Sequence, residues 1–349
     1  MTAGASPSSA APPPTIALTN PIDPGVQRRL AERLRVVCAP DPRPETLHAL
    51  VADADVLIVR TLLPPDIFER PNRLRGVVRH GVGVDLIPMD SAIRHSLPVA
   101  NLPGSNSDAV AEYAVAGMLL MARQMHRIDR DLRDAGWAAS RIHSDGATEL
   151  TGATLGIVGL GNIGRRIAEI CSSAFRMRVL STPPRSRPLP PQVHGVALAD
   201  LLQESDYVVL SCPLTDETRG LLDAARIALM KPTAALVNVA RGQVVDEPAL
   251  IDALRSRRIR GAVLDVFDRQ PLEPGHPLLA LDNVVLTPHL AGITADSLTR
   301  MSEGAVDAAM RLLAFERPQH LVNPQVWDAH LRRRAPSASA SSGAAAGSA

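Results

Sequence analysis

The sequence predicts an α/β chain built on two parallel sheets, and three observations predict it. Short apolar runs alternate with helical patterns, the alternation occurs in two rounds, and one long helical stretch separates the rounds. At 349 residues the chain also exceeds what one core usually serves, so two domains are expected.

In the first round TIAL from Thr15, RVVC from Arg35, DVLIVR from Asp55, LRGVVR from Leu74 and PVAN from Pro98 read as buried strands. VQRRLAERL from Val26 and MDSAIRHS from Met89 fall between them and read as helices. The long helix is expected from about Ser107 to Asp134, with Asn106, Ser107 and Asp108 as N-cap candidates and a dense apolar face. The second round starts with TLGIVGLG at Thr154. A last helix around Ala295 to Phe315 follows it and is expected to pack back on the first domain.

Composition excludes several classes of function. A formal charge of +1 gives no basic field for nucleic acid or an anionic membrane, and 2% aromatic residues leave few rings for base stacking. Cys38, Cys171 and Cys212 lie far apart without metal-ligand spacing, so no metal is expected and a reducing, cytoplasmic setting is. No apolar run reaches the roughly 18 residues of a membrane span. Residues 1–14 lack the basic start and apolar stretch of a signal peptide and are expected to be a disordered tail. The low-complexity residues 333–349 are expected to be another.

The strongest local motif is Gly159-Leu160-Gly161-Asn162-Ile163-Gly164, after the apolar run TLGIV and before the helical pattern RRIAEICSSA. Strand before and helix after are the context a dinucleotide site requires. The glycines allow a tight turn, approach of backbone to pyrophosphate, and packing of helix on strand. The helix N-terminus then offers N–H groups and a favourable dipole to the phosphates. NAD binding calls for a carboxylate about twenty residues on, at the end of the next strand, to bond the ribose hydroxyls. Here that end reads Ser181-Thr-Pro-Pro-Arg185-Ser186-Arg187, without an acid. Arg185, Ser186 and Arg187 could instead hold a 2′-phosphate, so NADP is preferred over NAD; an ordinary solvated loop is the alternative.

Three further signals follow in order: NVARG at Asn238, LDVFDRQP at Leu264 and TPHLAG at Thr287. With the GLGNIG turn, RHGVGVD at Arg79 and NSDAVAE at Asn106, they closely resemble the D-2-hydroxyacid dehydrogenase family. The resemblance runs from about Val56 to Asn323. It implies two Rossmann-like domains with doubly wound parallel sheets. The substrate domain would be discontinuous, over 15–106 and 294–326, with a dinucleotide-binding domain inserted over 107–293 and the active site in the cleft between.

The same resemblance implies roles for residues. Arg241 matches an arginine that holds the substrate carboxylate and polarises its carbonyl, as a planar fork can. His289 matches the general acid/base, a task suited to a side chain that titrates near neutrality. The backbone N–H groups of Val82 and Gly83 match a loop that binds the other side of the carboxylate. Asp265 matches an aspartate near the nicotinamide carboxamide, and Cys212, Val239, Ala240 and Gly292 fall at other cofactor positions. Taken alone, Arg241 could be a surface arginine and His289 a capping histidine. Arg60 falls where some members bind an anionic group, and His80 sits beside the carboxylate loop; solvated or structural roles suit both equally. Trp137, in DAGWAAS, fits an arm that crosses to a second subunit, so a homodimer is expected.

Gln270 departs from the family pattern, which usually has glutamate before the proline of this loop. A glutamate favours imidazolium, the acid needed to reduce a keto acid; glutamine orients the ring without supplying the charge. Formate dehydrogenase resembles this chain in having glutamine there, since formate oxidation transfers no proton. Three readings follow: a hydroxyacid dehydrogenase reducing best at lower pH, oxidation of formate, or binding without turnover. The first is favoured, with glyoxylate or hydroxypyruvate as substrate and NADPH as reductant. A dinucleotide-sensing corepressor-like protein is the rival from another class, and the presence of both Arg241 and His289 argues against it. On the favoured reading Gln270→Glu raises the rate of keto-acid reduction near neutral pH in a steady-state assay, because the added carboxylate keeps the imidazole protonated to higher pH. An unchanged or lower rate would count against it.

Overall fold

A computed structural model of the chain describes residues 13–183 and 188–332. The expectations placed on tail residues 1–12 and 333–349, and on Arg185, Ser186 and Arg187, lie outside the described residues. The chain divides into two compact units: one takes residues up to Ser105 and from Ala295 onward, and the other runs from Asn106 to Thr294.

The first unit runs β1 (Thr15–Leu18), α1 (Pro24–Ala31), β2 (Arg35–Cys38), α2 (Pro44–Ala52), β3 (Val56–Val59), β4 (Gly76–Arg79), α3 (Met89–Arg94) and β5 (Val99–Ala100). All five strands are parallel, in the order β2-β1-β3-β4-β5. Both faces are covered, which explains why β1 and β3 read as continuous apolar runs rather than alternating ones. Ile16, Leu18, Ile58 and Val78 face a layer that includes Met301, Ala305 and Leu312, from the helix Ala295–Leu313. Ala17, Leu57 and Val77 face the opposite layer, with Leu47 and Val51 of α2. Asp23 caps α1 by accepting the Val26 N–H at 2.9 Å, and Pro24 opens the helix where a missing N–H does no harm.

The second unit contains α4 (Ser107–Arg123), α5 (Met125–Arg141), β6 (Thr154–Val158), α6 (Asn162–Phe175), β7 (Arg178–Ser181), β8 (Val193–Gly195), α7 (Leu198–Glu204), β9 (Tyr207–Leu210), α8 (Ala224–Ile227), β10 (Ala235–Asn238), α9 (Glu247–Arg255), β11 (Gly261–Leu264) and β12 (Val284–Leu286). Its seven parallel strands lie in the order β12-β11-β10-β9-β6-β7-β8. The winding reverses between β6 and β9, so the loops after these two strands leave in opposite directions and open a crevice at their carboxyl ends. The expectation of two doubly wound parallel sheets therefore holds.

The long central helix differs from expectation. It is broken at Gln124, which takes a left-handed φ of 51°, and α5 starts with the next residue. Every residue from Gln124 to Asp134 tolerates a helix, so propensity gives no stop. Burial does: α4 is packed from Ala109 through Ala122, whereas α5 leaves Met125, Leu132 and Trp137 exposed.

Close packing of α4 depends on Gly117. A β-carbon there would lie 2.8 Å from Cγ1 of Val263 in β11. Gly117→Ala gains about 1 kcal/mol of helix propensity but overpacks this contact, at a cost of about 1–3 kcal/mol. A net loss of about 1 kcal/mol is expected in denaturant unfolding. Adding Val263→Ala should recover about that amount relative to the summed single effects; strict additivity would show that the two residues do not meet.

Candidate active site

The crevice of the second unit is built from backbone before any side chain enters. Gly159, just past β6, has φ 100°, and a β-carbon on it would lie 2.4 Å from the backbone nitrogen of Cys212, just past β9. Gly164 brings α6 against the turn: its β-carbon would lie 2.3 Å from the Gly159 oxygen. Ser211 Oγ donates to that same oxygen at 2.7 Å. Gly161, the N-cap of α6, has nothing within 4 Å of its β-carbon position. Two glycines thus serve contacts within the protein and the middle one faces open space, which fits backbone approach to a pyrophosphate at a helix N-terminus. Among Arg178 to Pro183, at and just past the end of β7, no acidic side chain stands where a ribose-binding carboxylate would.

Arg241 is placed by the turn after β10. The buried Asn238 accepts the Ala240 N–H at 3.0 Å and donates to the Arg241 carbonyl at 3.0 Å, fixing the chain in an extended form at Arg241. The guanidinium returns one bond, Nη1 to the Ala240 oxygen at 2.7 Å. At Gly242 a β-carbon would lie 1.9 Å from the Phe267 carbonyl carbon, so glycine lets Arg241 sit beside the segment leading to Gln270.

His289, exposed at the end of the loop after β12, has φ 58°. Its Nδ1 lies 2.9 Å from Gln270 Oε1. The Gln270 amide group points the other way, Nε2 reaching the Phe267 oxygen at 3.4 Å, so Oε1 is the atom presented to the ring. An amide oxygen can only accept, so Nδ1 carries a proton. Arg241, Gln270 and His289 fall in one unit, and the Gln270–His289 contact is direct.

Asp265, 2% exposed at the end of β11, organises this loop. Its Oδ1 accepts from Thr287 Oγ1 at 2.5 Å and the Leu290 N–H at 2.7 Å; its Oδ2 accepts the Ala291 N–H at 2.9 Å. Its carbonyl accepts the His289 N–H at 2.9 Å. Because Thr287 spends its hydroxyl proton on Asp265, the Tyr113 hydroxyl must be the donor across the 2.6 Å contact between Tyr113 and Thr287. Burial raises the Tyr113 pKa, which keeps that donor protonated. Gly292 ends the loop against α4, where a β-carbon would lie 2.5 Å from Nδ2 of Asn106. Tyr113 and Asn238 were given no role in the sequence: Tyr113 lies outside every motif, Asn238 opens NVARG without a function of its own, and each acts by bonding a neighbour that has one.

In the first unit the loop after β4 carries Val82 and Gly83. His80 precedes them at 3% exposure, its Nε2 2.9 Å from Ser302 Oγ. Burial, with Arg60 and Arg79 nearby, lowers its pKa to about 4, so His80 is a neutral structural link. Arg60 donates from its backbone to Thr19 Oγ1 at 2.8 Å and from its guanidinium to the Pro21 carbonyl. Trp137 stands 70% exposed on α5. No group of histidine, cysteine and acidic side chains among the described residues is arranged to hold a metal, and no helix among them is long and apolar enough to cross a membrane.

Comparison with known proteins fits this geometry. Residues 115–291 match the family model described as D-isomer specific 2-hydroxyacid dehydrogenase, NAD binding domain. The chain is 40% identical to the glyoxylate reductase of Aeropyrum pernix over 297 residues, which cover 82% of this chain and 88% of that enzyme. It is 35% identical to the D-3-phosphoglycerate dehydrogenase of Methanocaldococcus jannaschii, over 88% of this chain but 59% of that longer enzyme. Among solved structures, the NADPH-dependent glyoxylate/hydroxypyruvate reductase of Sinorhizobium meliloti, in complex with NADP and malonate, superposes with a TM-score of 0.76 at 29% identity, over 88% of this chain and 96% of that one.

The Asp265 clamp generates a graded expectation. Asp265→Asn turns an amide group toward at least one N–H and leaves a buried donor unmet, so unfolding stability should fall by about 2–3 kcal/mol and turnover with it. Tyr113→Phe removes one outer bond and should cost about 1 kcal/mol with activity largely kept. Equal effects from the two substitutions, in melting and steady-state assays, would remove Asp265 from the centre of the network.

Proposed function

The chain belongs to the D-isomer specific 2-hydroxyacid dehydrogenase family, and we propose that it reduces a small 2-keto acid, glyoxylate or hydroxypyruvate, with NADPH. The observation that carries the proposal is His289 held by Gln270 through Nδ1, in the same unit as Arg241 and the dinucleotide turn.

The Gly159–Gly164 turn would hold a nicotinamide dinucleotide, which would supply the hydride. The α6 N-terminus holds its phosphates, and Cys212, Val239, Ala240 and Gly292 line its path. Asp265 clamps the loop beside that path near the nicotinamide carboxamide, and Oδ2, which accepts the Ala291 N–H, has capacity for a further donor. Arg185, Ser186 and Arg187 take the 2′-phosphate, and the absence of an acid at the end of β7 favours this choice.

Arg241 and the Val82 and Gly83 N–H groups hold the substrate carboxylate, and the Arg241 fork polarises the keto oxygen. His289 gives the proton from Nε2 to that oxygen while Gln270 fixes the tautomer. The neutral amide adds no charge to favour imidazolium, so reduction is strongest toward lower pH. The acid then recharges from water.

The unit pairs with a second copy through α5 and the residue after it, where Leu132, Trp137 and Ile142 are exposed at 43%, 70% and 68%. Three free thiols suit a cytoplasmic setting.

The test is consumption of NADPH and, separately, NADH with glyoxylate, hydroxypyruvate, pyruvate and phosphohydroxypyruvate across mildly acidic to neutral pH. Formate with each oxidised cofactor runs alongside. Keto-acid turnover that prefers NADPH and strengthens as pH falls is expected. Formate oxidation without keto-acid turnover would transfer the reading to the one Gln270 also suits, and cofactor binding without any turnover would favour a sensing protein.

A further inference from the structure

The loop from His80 to Gly83 has all four of its carbonyl oxygens drawn to donors elsewhere in the first unit. Arg79 supplies two of those donors: Nη1 reaches the His80 oxygen at 2.7 Å and Nε reaches the Gly83 oxygen at 2.9 Å. The same Nη1 also reaches the Val59 oxygen at 3.0 Å, anchoring the fork to the end of β3. Leu102 N–H takes the Gly81 oxygen at 2.9 Å, and Asn101 Nδ2 takes the Val82 oxygen at 2.7 Å. The N–H side is different. His80 and Gly81 donate to Val59 and Arg79, whereas the N–H groups of Val82 and Gly83 meet no acceptor among the described residues. Gly81 makes this possible twice over: its φ is 146°, and a β-carbon on it would lie 3.3 Å from the Arg79 guanidinium carbon.

A peptide plane has two ends, so tying down its oxygen fixes where its N–H points. The plane that ends in the Val82 oxygen carries the Gly83 N–H, and the plane that ends in the Gly81 oxygen carries the Val82 N–H. Adjacent N–H groups held on one side, with every oxygen turned away, make a concave anion seat. We infer that Arg79 and Asn101 are positioning residues for substrate: they hold the loop's carbonyls so that the Val82 and Gly83 N–H groups stay turned outward for a carboxylate. This rests on the proposed role of those two N–H groups. It assigns Arg79 a task other than attracting the anion, because its Nε and Nη1 donate to carbonyls of the loop and of β3.

The distinguishing variant is therefore Arg79→Lys, which keeps the charge and loses the fork. Asn101→Leu removes the other donor at similar size without touching charge. For each, KM for glyoxylate, kcat, KM for NADPH and the calorimetric Kd of oxamate in the presence of NADPH are measured, with melting temperature as a check on folding. A rise of about tenfold in KM for glyoxylate and Kd for oxamate is expected for Arg79→Lys, with kcat within about threefold and the NADPH constant unchanged. Asn101→Leu should move the same two quantities in the same direction, and it carries the test if the lysine variant fails to fold. Unchanged oxamate affinity in both, or a loss confined to kcat, overturns the inference.

Gly83→Pro, which deletes one N–H outright, separates this failure from that of the underlying reading. If it weakens oxamate while Arg79→Lys and Asn101→Leu do not, the loop binds the carboxylate but these residues do not set it. If it leaves oxamate binding intact, the loop is not the carboxylate seat and both readings fall.

Discussion

The carboxylate of Asp265 fixes the geometry on which the rest of the second unit's site depends. It is buried at a strand end, where an unpaired charge would be prohibitive, and it is accommodated because Thr287, Leu290 and Ala291 donate to it. The same bonds hold the loop on either side of His289 and compensate its left-handed backbone, a conformation that costs a non-glycine residue on the order of 1 kcal/mol. Charge burial, loop shape and histidine placement are thus one problem with one solution. Gln270 then adds the last restraint, on the ring itself.

The two units use a similar sheet for different ends. In the second, the reversal between β6 and β9 opens a crevice, and glycines remove side chains so that backbone lies against backbone. In the first, the loop after β4 is shaped by side chains that draw its oxygens inward. Either device fixes the direction of the peptide planes, and adjacent N–H groups held on one side suit an anion.

Much of this was legible in the sequence because parallel strands covered on both faces leave unbroken apolar runs. TIAL coincides with β1 and RVVC with β2, while DVLIVR contains β3 and one residue at each side. The glycine motif was legible since its spacing is dictated by turn, ligand and helix together. The break at Gln124 was not: the sequence there carries neither glycine nor proline, and tertiary burial decides it. Tyr113 was hidden for a related reason. It lies within an apolar helix, and its value appears when Thr287, far along the chain, is brought within 2.6 Å. Arg79 was visible as part of a motif, but the direction of its fork, toward carbonyls rather than solvent, is a fact of three dimensions.

The pairing of His289 with an amide has a consequence for how the site registers acidity. Two ionisable neighbours share their protons, so neither titrates alone and the pair shows two macroscopic steps. Gln270 does not ionise, and its oxygen is an acceptor at every pH the fold survives. The polarity of this contact is therefore constant while the ring's charge varies. The Nδ1 proton that points at this oxygen is thereby a fixed part of the scaffold rather than one passed between two groups.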